Sequence, residues 1–150
     1  LKMSTSDVND VKTAGLLHDI GKIGIDKKLL NKQGKLTEME WADIKRHPEI
    51  GYQILRSVDE FAPIAEYVLY HHERIDGQGY PRGLKGDEIQ LQSKIISIAD
   101  SYDAMTSERS YKKKLGQSEA IEEIRRNAGT QFDKDIAKLF IEKVIPSEIR

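Results

Sequence analysis

The chain of 150 residues contains no cysteine. That absence excludes disulfide staples, thiolate metal sites and cysteine nucleophiles. Proline is scarce at four residues, and tryptophan occurs once. No apolar run approaches the ~20 residues that cross a bilayer as a helix. Neither sign of charge dominates: 24 Lys plus Arg face 25 Asp plus Glu, for a net charge of −1. Near-neutrality argues against a general nucleic-acid or anionic-membrane binder, yet leaves room for a local basic pocket. No signal-peptide pattern opens the chain, so a cytoplasmic protein is expected. What is present is 33% charged and 38% hydrophobic residues, a charge-rich surface around a modest core rather than a disordered chain. A chain of this length suits one domain and buries roughly 70% of its unfolded surface. The first residue is Leu, not Met, so a piece of a longer protein is expected.

Helical periodicity dominates, and no stretch alternates with period two over a strand length. Val8, Val11, Gly15 and Leu16 lead towards His18 in a first helix, capped by Ser4 or Ser6. Thr37 to Glu40 matches the S/T-x-x-E capping box and predicts a second helix running to about Arg46. His47-Pro48 then restarts the chain, with Pro48 at the first position of a helix bearing Ile50, Ile54 and Leu55. Pro63 opens another, with Ile64, Tyr67, Val68 and His71 on one stripe. Four glycines and Pro81 between residues 76 and 86 predict a loop. Gln92 to about Ser107 reads helical, and Ser118 and Asp133 cap two last helices. The fold expected is all-α: a compact bundle of about six or seven helices.

The four histidines are His18, His47, His71 and His72, each near a predicted helix end. Singly, each serves as a dipole partner or cap at a helix C-terminus. Two doublets, His18-Asp19 and His71-His72, ask for more. Neighbours on a helix point ~100° apart, so a doublet serves two ions side by side better than one. A carboxylate such as Asp19 can bridge such ions, and paired metals clamp phosphoesters for hydrolysis. Imidazole and carboxylate without sulfur suit iron, manganese, zinc or nickel. Asp100 follows Ile95, Ile96, Ile98 and Ala99. It is either a metal ligand or the acceptor for a buried Tyr or Arg.

Leu17 to Gly24 reads LHDIGKIG, and His71 to Pro81 reads HHERIDGQGYP. Ile98 to Thr106 and Arg109-Ser110-Tyr111-Lys112 follow in order. Together these resemble the HD-GYP subgroup of the HD metal-dependent phosphohydrolases over nearly the whole chain. The resemblance implies one HD-GYP domain over 1–150 that lacks its N-terminal helices, since the family's upstream ligands have no counterpart before residue 18. It implies His18, Asp19, His47, His71, His72 and Asp100 as metal ligands, with Asp19 bridging. It implies two divalent transition ions, iron or manganese foremost, and a third only where an upstream segment adds ligands. Lys22, Arg109 and Lys112 would contact substrate phosphates, and Arg74 and Asp76 would structure the motif loop or touch substrate.

The activity so implied is hydrolysis of the bacterial second messenger cyclic di-GMP to pGpG and on to GMP. A hydroxide bridging the metals would attack phosphorus in line, with Asp19 and Lys22 as catalytic groups and Lys22 absorbing developing charge. Lys acts as a point charge, whereas Arg109 can hold two oxygens at once. Tyr80 would pack under its loop, stack on guanine or meet a partner protein. Trp41, in the capping-box helix, reads as packing rather than function. The implied partners are cyclic di-GMP, an N-terminal sensory or receiver domain, a second copy in a homodimer and a diguanylate cyclase-type protein. Two other readings stand beside this one. They are an HD hydrolase of another nucleotide or mixed cyclic dinucleotide, and a catalytically silent domain that senses the dinucleotide or docks a partner.

Overall fold

The computed structural model describes residues 1–107 and 114–146. Among them the chain is helical, with only two isolated β-bridges, Asp76 to Lys85 and Ala128 to Phe132. Helix α1 (Thr5–Leu17) starts at Ser4, whose hydroxyl accepts from the Asp7 amide while the Asp7 carboxylate accepts from the Ser4 amide. A 3-10 turn (Ile20–Gly24) and one α-turn, α2 (Lys27–Leu30), follow. Helix α3 (Glu38–Ile44) carries the expected capping box between Thr37 and Glu40. Helix α4 (His47–Arg56) begins one residue earlier than proline alone predicts. Pro48 takes its second position, where the backbone N–H has no intrahelical acceptor to lose.

The stripe expected from Pro63 to His71 is shorter than its periodicity. Ala62–Ile64 is a 3-10 turn, α5 spans Ala65–Leu69, and the chain leaves the helix before the histidine doublet. Helix α6 (Leu91–Thr106) matches its predicted bounds to one residue. Helix α7 (Gln117–Arg126) starts after Gly116, not Ser118, because the Glu119 carboxylate reaches back to the Gly116 amide at 2.8 Å. Asp133 caps α8 (Lys134–Leu139) as expected, and a π-helical turn (Phe140–Val144) continues it. No helix of the described residues is long and apolar enough to cross a membrane.

Two apolar clusters share α6. Ala14, Leu55, Ile64, Ala65, Val68 and Ile96 join α1, α4, α5 and α6. Ile98, Ile124, Phe132, Ile136 and Ala137 join α6 to α7 and α8. Residues two apart on a helix point to nearly opposite sides, so Ile96 and Ile98 divide α6 between the clusters. Asp100 lies one turn beyond Ile96 on the same face. The core thus carries that carboxylate to the place where α1 and α5 end in histidines.

Candidate metal centre

Three histidines are set by the same local device. His18 Nδ1 lies 2.6 Å from the Gly15 carbonyl, His47 Nδ1 lies 2.8 Å from that of Ile44, and His71 Nδ1 lies 2.5 Å from that of Val68. A carbonyl only accepts, so each Nδ1 must donate, and the lone pair of each neutral ring is left on Nε2. The Nε2 atoms of all three are buried with no hydrogen-bond partner. Unpartnered buried nitrogens are costly in a finished fold, and three close together call for ligands.

The rings are close. His71 stands 5.2 Å from His18 and 5.5 Å from His47, and His72 stands 3.9 Å from His71 and 5.1 Å from His47, between centroids. The Asp19 carboxylate divides its oxygens: Oδ1 lies 3.5 Å from His47 Nε2, and Oδ2 lies 3.6 Å from His18 Nε2. Asp100 Oδ1 is 3.3 Å from His18 Nε2. Two overlapping groups of ligand atoms result, His47–His71–His72 and His18–Asp19–His71, each within 4.8 Å. All six residues expected at the centre therefore meet. Both groups suit a divalent transition ion in donor type, and they share His71.

Burial pushes the His71 imidazole down to about 4, and burial with neighbouring imidazoles depresses His72 as well. Both rings are neutral at physiological pH, the form that ligates a metal. Burial works against ionisation of Asp100, but contact with His18 outweighs it and holds the carboxyl low. Burial also works against the His18 cation, but contact with Asp100 outweighs it and raises that imidazole, so the neutral rings are those of His71 and His72.

Backbone packing explains why these elements fit. A Cβ on Gly21 would lie 1.8 Å from the His47 carbonyl oxygen and 2.5 Å from the Gly51 amide nitrogen. Only glycine lets the HD turn lie flat on α4 and bring Asp19 to His47. Gly79 works likewise, since its Cβ would sit 2.5 Å from both the His72 carbonyl oxygen and the Arg74 nitrogen. Its close approach folds the following loop back over the doublet, where the Tyr80 ring stacks on His72 at 4.9 Å and 25°. Glu73 clamps the loop from beneath. It is buried, and its two carboxylate oxygens accept from the Arg82 and Leu84 amides at 2.6 and 3.0 Å.

Lys22, expected on a phosphate, donates to Asp19 Oδ2 at 2.6 Å and lines the cleft. Arg74 grips Asp76 with two hydrogen bonds and reaches Gln131, which gives this pair the loop-structuring role of the two expected. Neither residue lines the cleft. Arg109 and Lys112 lie outside the described residues. The centre opens into a cleft of about 480 Å³ lined by Asp19, His47, His72, Tyr80 and Asp100. Leu29, Leu30, Leu36 and Trp41 supply a second, apolar part of its wall, and Lys32 lines it too. Sequence reasoning missed that second wall, because a tryptophan on an amphipathic helix reads as core. It also gave Glu73 no role, though a carboxylate beside a histidine doublet is itself a signal.

The HD domain family model matches residues 1–136. A cyclic di-GMP phosphodiesterase of Thermotoga maritima is 44% identical over 141 residues, covering 93% of this chain and 38% of that protein. The 3′3′-cGAMP-specific phosphodiesterase 3 of Vibrio cholerae is 40% identical over 135 residues, covering 90% of this chain and 29% of that one. The chain spans about a third of the length of these curated relatives. A crystal structure of a V. cholerae cyclic GMP-AMP-specific phosphodiesterase matches with a TM-score of 0.71 at 20% identity, over 97% of this chain and 40% of that one, and so shares the fold. With the family model matching residues 1–136 and relatives about 40% identical over nine-tenths of its length, the chain belongs to the HD domain family, in the form that carries a GYP loop.

Proposed function

We propose that this chain is a metal-dependent phosphodiesterase acting on 3′3′-linked cyclic dinucleotides, cyclic di-GMP first among them. One observation carries the reading: three buried, unpartnered Nε2 atoms converge on Asp19 and Asp100 at the floor of a ligand-sized cleft. Relatives about 40% identical bear names that specify cyclic di-GMP or 3′3′-cGAMP, which supports the substrate class.

In this reading His18, Asp19, His47, His71, His72 and Asp100 hold two divalent transition ions. When bound, the ions supply Lewis-acid neutralisation of a phosphodiester and activation of water. The protein's own part is positioning and charge. The i−3 carbonyls fix the tautomers of His18, His47 and His71 before any ion is loaded. Asp19 turns one oxygen to His18 and the other to His47, so it would be the carboxylate shared between two ions. Lys22 holds Asp19 in that orientation and places a positive charge in the cleft, where a phosphate oxygen gains negative charge on cleavage. Tyr80 and Glu73 keep His72 and its loop in register.

The test is turnover by chain loaded with manganese or ferrous iron, with products separated by chromatography. Cyclic di-GMP is expected to yield linear pGpG, chelation is expected to stop the reaction, and Asp19→Asn is expected to lose at least about 100-fold in kcat. An intact, metal-loaded chain that cleaves neither cyclic di-GMP nor 3′3′-cGAMP overturns the proposal.

A further inference from the structure

The far wall of the cleft has no part in the metal chemistry. Trp41 projects from α3 with 44% of its surface exposed and lines the same cleft as the His47 and His72 imidazoles. An exposed indole on a charge-rich surface is poor packing and good recognition. Leu29, Leu30 and Leu36 line the same cleft, together with Lys32. The orientation of the indole is held. The Lys45 ammonium lies 5.4 Å from the Trp41 ring centroid and 5.4 Å from that of Tyr80, linking α3 to the GYP loop by two cation–π contacts. The Tyr80 ring in turn stacks on His72. One chain of contacts therefore fixes the indole relative to the metal centre.

We infer that Trp41 is a nucleobase platform: a purine of the cyclic dinucleotide stacks on its indole while the phosphodiester lies over the histidines. This rests on the phosphodiesterase reading of the site and deepens it, assigning the aromatic part of the ligand to a wall that the metal ligands leave unused. Aliphatic neighbours and an indole present no fixed hydrogen-bond code, so the platform selects ring size more than base identity. Purines stack better than pyrimidines, and adenine in place of guanine changes little at a single platform. The wall thus accommodates cyclic di-GMP and 3′3′-cGAMP alike and disfavours cyclic di-UMP.

Trp41 is the chain's single tryptophan, so its fluorescence reports this wall alone. Metal-free protein is titrated with cyclic di-GMP, with cyclic di-UMP and with dimethyl phosphate, and emission is read. Saturable quenching is expected with cyclic di-GMP, weaker quenching with cyclic di-UMP and none with dimethyl phosphate. With manganese-loaded protein, Trp41→Leu keeps the apolar wall and removes the larger π surface. It is expected to raise KM for cyclic di-GMP about tenfold with kcat within about twofold, while Trp41→Tyr recovers most of the loss. Wild-type turnover with unquenched Trp41 and an unchanged KM in Trp41→Leu overturns the platform and leaves the phosphodiesterase standing. Quenching without turnover in loaded wild type sinks the phosphodiesterase and upholds the platform. Absence of both removes the two together.

Discussion

Gly21→Ala puts the account under its most severe local strain. The added methyl would stand 1.8 Å from the His47 carbonyl oxygen, 2.5 Å from the Gly51 nitrogen and 2.8 Å from the His47 carbonyl carbon. All three obstacles are backbone, so no side chain can swing aside. Ordinary contact begins near 3.4 Å, which means the HD turn and α4 must part by roughly 1.6 Å. Asp19, two residues before, and His47, at the start of α4, now face each other across 3.5 Å. A metal site tolerates ligand errors of only about 0.2 Å, so this displacement removes Asp19 or His47 from the shared centre. Overpacking of this kind costs about 1–3 kcal/mol, and in a chain of this size that lowers Tm by roughly 2–12 °C. Two assays separate the effects: thermal melting of chelated protein, and metal per chain by mass spectrometry after reconstitution. Gly21→Ala is predicted to melt lower without metal and to retain no more than about half of the wild-type metal. If it melts and loads as wild type does, the HD turn does not depend on that close approach, and the reasoning from Gly21 fails.

Other outcomes follow from the same geometry. Glu73→Gln leaves one of the Arg82 and Leu84 amides facing an NH₂ group, costs about 1–3 kcal/mol and speeds amide exchange across the GYP loop; unchanged exchange at Arg82 and Leu84 would refute the clamp. Arg74→Lys removes the two-pronged grip on Asp76. Because the pair is part-exposed, the change in urea midpoint should correspond to less than about 1 kcal/mol, with faster exchange confined to the loop, and a global loss of fold would contradict that. Acid sensitivity of the metal-free protein follows from His71. Its folded value is about 4, below the ordinary 6.5, because burial disfavours the charged ring. The unfolded chain therefore takes up a proton first, so stability is full above pH 6.5 and is lost as pH falls towards 4, by up to about 3 kcal/mol. His72 acts in the same direction. A urea midpoint of chelated protein that stays level from pH 7 to pH 4.5 would count against the buried neutral rings.

What could be read from the residues alone was what depends on near neighbours. The capping box at Thr37 needs only four residues and formed as written, and of the two caps open to α1 the chain uses Ser4. The six centre residues came from motif resemblance, and their meeting depends on long-range packing. Ile96 faces the α1 and α5 cluster and thereby aims Asp100 at His18, a fact no spacing states. The end of α5 at Leu69 was not legible, because Tyr70 and His71 continue the helical stripe while the turn at the doublet sets His71 and His72 side by side. Trp41 misled for a related reason. Helical periodicity says which face a residue occupies, but not whether another element covers that face, and here the cleft leaves it open.

Metal stoichiometry tests the central claim most directly. Purified chain, equilibrated with manganese or ferrous iron and freed of excess ion, is assayed for metal per polypeptide beside His71→Ala. Two ions per wild-type chain are predicted, and fewer than two in His71→Ala, because His71 offers the single Nε2 lone pair that adjoins both ligand groups. A wild-type chain that is folded yet retains no transition metal, or a His71→Ala variant that loads fully, would contradict it.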